Sequence, residues 1–105
     1  MNKELYDVVL QRKKEPQEGS YTCYLFDKGI DKILKKIGEE AAETIISAKN
    51  HNNDETVGEI CDLLYHLVVM MVEQGISYEE IEVELAKRSA KIGNLKQMKV
   101  TDKNS

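Results

Sequence analysis

Apolar residues recur at three- and four-residue spacing between Ile30 and Lys49, at Ile30, Ile33, Leu34, Ile37, Ala41, Ile45 and Ala48. That spacing is one face of a helix, so the segment is predicted to be amphipathic and helical. His51-Asn52-Asn53-Asp54 then forms a polar linker with side chains able to cap the next helix. The next helix is predicted from about Asp54 to Gln74, with Gly75 as the residue that ends it. Between Val57 and Val72 it is apolar around most of its circumference, the pattern of a helix buried in the middle of a bundle.

The flanking segments read the same way. Leu5, Val8 and Val9 among polar residues, with Arg12 one turn on, predict a first amphipathic helix over residues 2–15. It must stop before Pro16, because the residue preceding a proline disfavours the α region. Residues 16–20 are a loop, and Ser20 caps a short helical segment through Phe26, after which Gly29 re-aims the chain. Ser77-Tyr78-Glu79-Glu80 is a capping box that opens a last helix running to about Lys91. Residues 92–105 are a polar tail, expected to fray. The predicted fold class is all-α: an antiparallel bundle of four to five helices in one domain, residues 1–91.

Composition agrees with helices. One proline and six glycines are few for a protein of many tight turns, and 105 residues leave little room for a second core. The net charge of −4 argues against non-specific nucleic-acid binding, which needs an excess of basic residues. Lys28, Lys32, Lys35 and Lys36 nevertheless fall within nine positions, a basic patch that leaves a nucleotide ligand open. Cys23 and Cys61 lie 38 residues apart with no CxxC, which is neither a zinc pattern nor a disulfide framework. Both are expected to be buried free thiols in a reducing cytosol. The opening MNKELYDVVL carries Lys3, Glu4 and Asp7 and is no secretory segment. The longest apolar run, Leu67 to Val72, is far short of the ~20 residues that span a bilayer. A soluble, cytoplasmic protein without a membrane partner is expected.

The acids change the picture. At roughly 100° per residue, Glu39, Glu40 and Glu43 fall within about a quarter turn, opposite the apolar stripe and in the same sector as Lys36. Alone, that is an ordinary solvated face. On the following, mostly apolar helix, one sector of roughly 60° carries Glu55, Glu59, Asp62 and His66. Carboxylates on one seam of a buried helix repel each other and lose solvation unless they are paired or bind a cation. The bland alternative is that the seam is the helix's one wet face, with His66 accepting a hydrogen bond from a neighbour.

Together the two helices spell Glu39-Glu40-x-x-Glu43 and, after fifteen intervening residues, Glu59-x-x-Asp62. The i, i+3 spacing stacks each pair on its helix, and the short linker makes the helices antiparallel neighbours whose acids can face each other. Converging oxygen donors suit a hard divalent cation, and Mg²⁺ fits best, being held by a few carboxylates while water and phosphate oxygens complete its octahedron. Such an ion neutralises polyphosphate oxygens and lowers the pKa of water for in-line attack. Lys28, Lys32, Lys35 and Lys36, just upstream, can take up remaining negative charge.

Three runs carry a resemblance: Ser20-Tyr21-Thr22-Cys23-Tyr24-Leu25-Phe26, Lys35-Lys36-Ile37-Gly38-Glu39-Glu40-Ala41-Ala42-Glu43, and Glu59-Ile60-Cys61-Asp62-Leu63-Leu64-Tyr65-His66. Over about residues 4–91 the chain resembles the phosphoribosyl-ATP pyrophosphatase family. The acidic motif alone is shared with the wider all-α nucleoside triphosphate pyrophosphohydrolase group, which includes MazG-type proteins. The Ser-Tyr-Thr run and the Tyr65-His66 pair narrow the assignment.

The resemblance implies hydrolysis of phosphoribosyl-ATP to phosphoribosyl-AMP and pyrophosphate with Mg²⁺, the second step of histidine biosynthesis. By position it makes Glu40, Glu43, Glu59 and Asp62 metal ligands, and Glu39 a further ligand or the base for the attacking water. It makes Lys35, Lys36 and Arg88 phosphate contacts, and has Ser20 and Tyr21 line the substrate site. It also implies a homodimer that completes the bundle, which suits a short chain with an apolar-all-round helix. A chain without the cyclohydrolase domain fused to many relatives is expected to act alone. Two rivals stay open: a MazG-like enzyme acting on other nucleoside triphosphates, and a non-catalytic helical dimerisation module.

Overall fold

The structure is a computed structural model and describes residues 2–93. The described residues form five helices and no strand: α1 (Lys3–Lys14), α2 (Tyr21–Lys28), α3 (Ile30–Lys49), α4 (Asn53–Gln74) and α5 (Tyr78–Gly93). The all-α class is as the periodicity predicts. The expected fraying of the tail concerns residues 92–105, of which 94–105 lie outside the described residues.

Local chemistry sets the boundaries. Asn2 caps α1 by accepting from the Leu5 amide at 3.1 Å, and the helix ends just before Glu15-Pro16. Ser20 caps α2 by accepting from the Cys23 amide at 3.2 Å. Gly29, at φ 90° and ψ −175°, turns the chain between α2 and α3 in a backbone region that side chains disfavour. Asn52 caps α4, accepting from the Glu55 amide at 3.2 Å. Gly75 closes α4 in left-handed backbone, its N–H on the Val72 carbonyl and that of Ile76 on the Met71 carbonyl, a Schellman pairing. The capping box at Ser77 is present in both directions: the Glu80 amide donates to Ser77 Oγ and the Ser77 amide to Glu80 Oε1, each at 3.1 Å.

The core joins Tyr6 and Val9 of α1, Leu25 of α2, Ile33 of α3, and Val68, Val69, Met71 and Val72 of α4. Leu25, Ile33 and Val69 are fully buried, and each such side chain contributes about 1.5–3 kcal/mol. Tyr6 donates its hydroxyl to the Ile76 carbonyl at 2.8 Å, tying α1 to the α4–α5 turn. Lys13 pairs with Glu73 at 2.8 Å and lies over the Phe26 ring. The chain bends by 118° between α4 and α5, and α5 meets the core near Ile76, Tyr78 and Ile81. Among the described residues no single helix is long and apolar enough to cross a membrane.

Two expectations about burial need correction. The core draws on α4 only from Val68 onward, so its first half is not buried within one chain: Val57 is 61% exposed, and Ile60 and Leu64 are exposed too. Opposite them on α3, Ile45 is 68% exposed and Ile46 is exposed. For the same reason Cys61 is an exposed thiol rather than a buried one, while Cys23 is half-buried. α1 and α2 cover one end of the α3–α4 pair and leave the other end bare.

Candidate functional site

α3 and α4 run antiparallel across a turn at Asn50–Asn52, in which the Asn52 amide returns to the Ser47 carbonyl at 3.1 Å. Thr56 donates to Ser47 Oγ at 3.0 Å and pins the first turn of α4 to the last turns of α3. This register sets Glu40 and Glu43 of α3 against Glu59 of α4. One carboxylate oxygen from each of the three lies within 4.8 Å of the others.

Two carboxylate oxygens of these glutamates have nothing to bind. Glu40 Oε2 and Glu59 Oε2 are buried and accept no hydrogen bond. A buried acceptor left without a donor costs free energy, and an ionised one costs more. A divalent cation would satisfy both, and an all-oxygen carboxylate set is the donor chemistry that Mg²⁺ prefers. The residues present fit that ion.

The crowding also shows in proton affinity. The Glu43 carboxyl is held above its ordinary range, first by pairing with the Glu59 carboxyl, then by burial and by the charges of Glu39 and Asp62. Glu59 is pulled down by its pairing with Glu43, but the neighbouring Glu40 carboxyl, burial and the Asp62 charge outweigh that and raise it. Like charges gathered on one seam disfavour ionisation unless something positive joins them.

The remaining acids stand at the edge of the group. Asp62, one turn beyond Glu59, is exposed and outside the three-carboxylate cluster, although its charge reaches both Glu43 and Glu59. Glu39 turns to Lys36, with Nζ 3.6 Å from its Oε1. The Lys36 ammonium is pushed up by Tyr21 and then by Glu39, so it stays charged beside the acids. Lys35 is exposed. Arg88 stands on α5, where it pairs with Glu84 at 3.0 Å, and among the described residues no ion pair joins it to the acids of α3 and α4.

The N-terminus of α2 brings aromatic groups to the same seam. Tyr21 points its hydroxyl at His66 Nε2, 3.2 Å away, and His66 Nδ1 lies 2.8 Å from the Asp62 carbonyl oxygen. Thr22 Oγ1 hydrogen-bonds the Tyr65 hydroxyl. Tyr21 stacks against Tyr24 and against Tyr65, with ring centroids 5.9 and 6.2 Å away. Burial pushes its phenol up, against the pull of the Lys36 charge. On its other side Tyr21 borders a cavity of about 780 Å³ between the end of α1, the loop and α2, lined also by Arg12, Gln17, Ser20, Tyr24 and Phe26. Tyr21 thus stands between a cavity and the acids, and Ser20 lines the cavity.

The acids and Lys36 are legible in helical spacing. The Tyr21–His66 and Thr22–Tyr65 contacts are not, since they join residues 45 and 43 positions apart. The one sequence signal is that His66 falls in the sector of Glu59 and Asp62.

Known proteins are similar to this sequence over most of its length. The family model for phosphoribosyl-ATP pyrophosphohydrolase matches residues 2–89. A phosphoribosyl-ATP pyrophosphatase of Clostridium novyi is 57% identical over 93 residues, covering 89% of this chain and 84% of the relative. One from Lactiplantibacillus plantarum is 55% identical over 93 residues, covering 89% and 88%. One from Streptococcus sanguinis is 60% identical over 87 residues, covering 83% and 84%. Match and identity extend over the helices that carry the acids, the aromatic cluster and the core, so the chain belongs to the phosphoribosyl-ATP pyrophosphohydrolase family and is a hydrolase.

Proposed function

We propose that the chain hydrolyses phosphoribosyl-ATP to phosphoribosyl-AMP and pyrophosphate with Mg²⁺, in the second step of histidine biosynthesis. The substrate reading rests on the names of relatives more than half identical over most of their length. The cation reading rests on one observation, the buried and unpartnered oxygens of Glu40 and Glu59.

Glu40, Glu43 and Glu59 hold the ion, with Asp62 as the fourth ligand from the adjoining turn. When bound, Mg²⁺ supplies positive charge for the polyphosphate and acidifies water at the site. Lys36, kept protonated beside the acids, receives phosphate charge, and the exposed Lys35 joins it. Glu39, on the same face, is a further ligand or takes the proton of the attacking water. Arg88, whose Nε pairs with Glu84 on the same helix, contacts phosphate through its remaining guanidinium donors. Ser20 and Tyr21 hold the nucleotide at the cavity edge. Two thiols in no disulfide pattern suit a reducing, cytoplasmic setting.

The active form is proposed to be a homodimer. Ile45, Ile46, Val57, Ile60 and Leu64 are large, apolar and exposed on the α3–α4 pair. So many large apolar side chains on one helix pair support an interface there, and a second copy offers a surface of the same kind.

The experiment is a substrate panel. Pyrophosphate release is compared for phosphoribosyl-ATP, ATP and other nucleoside triphosphates, with Mg²⁺ or with chelator. Preference for phosphoribosyl-ATP is expected, whereas comparable rates on ordinary triphosphates would replace this reading with a general pyrophosphohydrolase.

A further inference from the structure

His66 is 5% exposed and makes two polar contacts, both through ring nitrogens. One partner fixes the direction of the other. The Asp62 backbone carbonyl can only accept, so Nδ1 carries a proton, and in a neutral ring Nε2 is then left as an acceptor. In that tautomer Tyr21 donates its single hydroxyl proton to Nε2. With that proton committed, the outward lone pairs of the Tyr21 oxygen can only accept. The flanking Tyr24 and Tyr65 rings fix the plane in which that oxygen lies. Tyr21 itself is 45% exposed and borders the cavity, which leaves the residue accessible to a ligand.

We propose that His66 is a positioning residue which makes Tyr21 an obligate hydrogen-bond acceptor, so that Tyr21 reads a sugar hydroxyl of the nucleotide and not a phosphate oxygen. This deepens the proposed function and rests on it. A phosphate oxygen at neutral pH brings no proton and would be repelled by an oxygen with none to give, whereas a ribose hydroxyl donates. The chain of donors runs one way, from sugar hydroxyl to Tyr21 to His66 to the backbone of the turn bearing Asp62. It gives the site a means of recognising the nucleoside portion separately from the polyphosphate, which the acids and lysines hold.

The test uses full-length protein with Tyr21→Phe, His66→Asn, His66→Gln and the double variant Tyr21→Phe/His66→Asn. In Tyr21→Phe the KM for phosphoribosyl-ATP is expected to rise about tenfold, the size of one net hydrogen bond, with a smaller change in kcat. His66→Asn keeps a donor for the Asp62 carbonyl and loses the acceptor for Tyr21, so it should match Tyr21→Phe, and the double variant should be no worse than either. His66→Gln, whose amide oxygen reaches toward the Nε2 position, should recover most of the loss. As product inhibitors of Tyr21→Phe, phosphoribosyl-AMP should weaken about tenfold and pyrophosphate should be unchanged.

Because His66 is buried, its nitrogens are also read directly, by ¹⁵N resonances of labelled wild type and of the exposed-site variant Tyr21→Phe. A protonated Nδ1 and a bare Nε2 that shifts on loss of the Tyr21 hydroxyl are expected. The opposite tautomer, additive losses, or equal weakening of pyrophosphate inhibition overturns the proposal while leaving the activity intact. A wild type inactive on phosphoribosyl-ATP overturns the parent reading, and this one with it.

Discussion

The carboxyls of Glu43 and Glu59 meet across the seam between α3 and α4, and both are held above the ordinary carboxylate range. The folded state therefore binds protons there more readily than the unfolded chain. Stability from this source is fully present below the ordinary value of 4.5 and is lost as pH rises through the raised folded values. Without divalent cations, the melting temperature should carry a component that falls with rising pH across that window. Glu43→Gln removes one partner, and thermal melts in chelator should show a flatter profile for it than for wild type. An unchanged slope would mean that the pair is not coupled.

A cation bound at this seam would offset the same repulsion. Mg²⁺ at about a hundred times its Kd should stabilise wild type by about 2.7 kcal/mol through mass action. Glu40→Gln and Glu59→Gln should lose most of that gain and should melt no lower than wild type in chelator, since each removes a charge from a crowded seam. Thermal shift against Mg²⁺ concentration checks this, with Ca²⁺ as a comparison for a site shaped by small-ion geometry.

The sequence revealed helices well because their signals are local. The Ser77–Glu80 box, the glycine after Gln74 and the serine before Tyr21 each act within one turn, and each cap forms where spacing predicts. The acids of α3 and α4 were legible for the same reason, because a short turn leaves antiparallel neighbours little freedom. Burial was harder to read. An apolar run says that a surface should be covered but not by what, so Val57, Ile60 and Cys61 stand exposed in a helix whose far half is core. The His66–Tyr21 contact depends on where α2 packs against α4, which no periodicity encodes. Arg88 was placed near phosphate by resemblance, and within one chain it is tied to Glu84.

The bare end of the α3–α4 pair gives a test of assembly. Ile45→Glu places a charge on a side chain that is 68% exposed in one chain. In a monomer such a surface change shifts stability within about 0.5 kcal/mol. In a homodimer joined through this face it buries an unpaired charge, so sedimentation should show dissociation. Unaltered dimers would move the interface elsewhere, and a monomeric wild type would remove it.

His51 closes α3 at φ 58°, a left-handed conformation that costs a non-glycine residue roughly 1–2 kcal/mol. Glycine removes that cost and adds about 0.5–1 kcal/mol of unfolded-state entropy. His51→Gly should therefore stabilise by about 0.5–1 kcal/mol in urea unfolding at constant m-value. A loss of stability would assign His51 a side-chain contact that outweighs its strain.

The three clustered glutamates are proposed to hold the cation that enables hydrolysis. The most direct measurement of this is pyrophosphate release from phosphoribosyl-ATP by wild type and Glu43→Gln, each with Mg²⁺ and with chelator. Release only with Mg²⁺ is expected, with a loss in Glu43→Gln beyond the roughly 10–100-fold typical of residues that merely support a metal ligand. Equal release in chelator, or a Glu43→Gln protein as active as wild type, would contradict it.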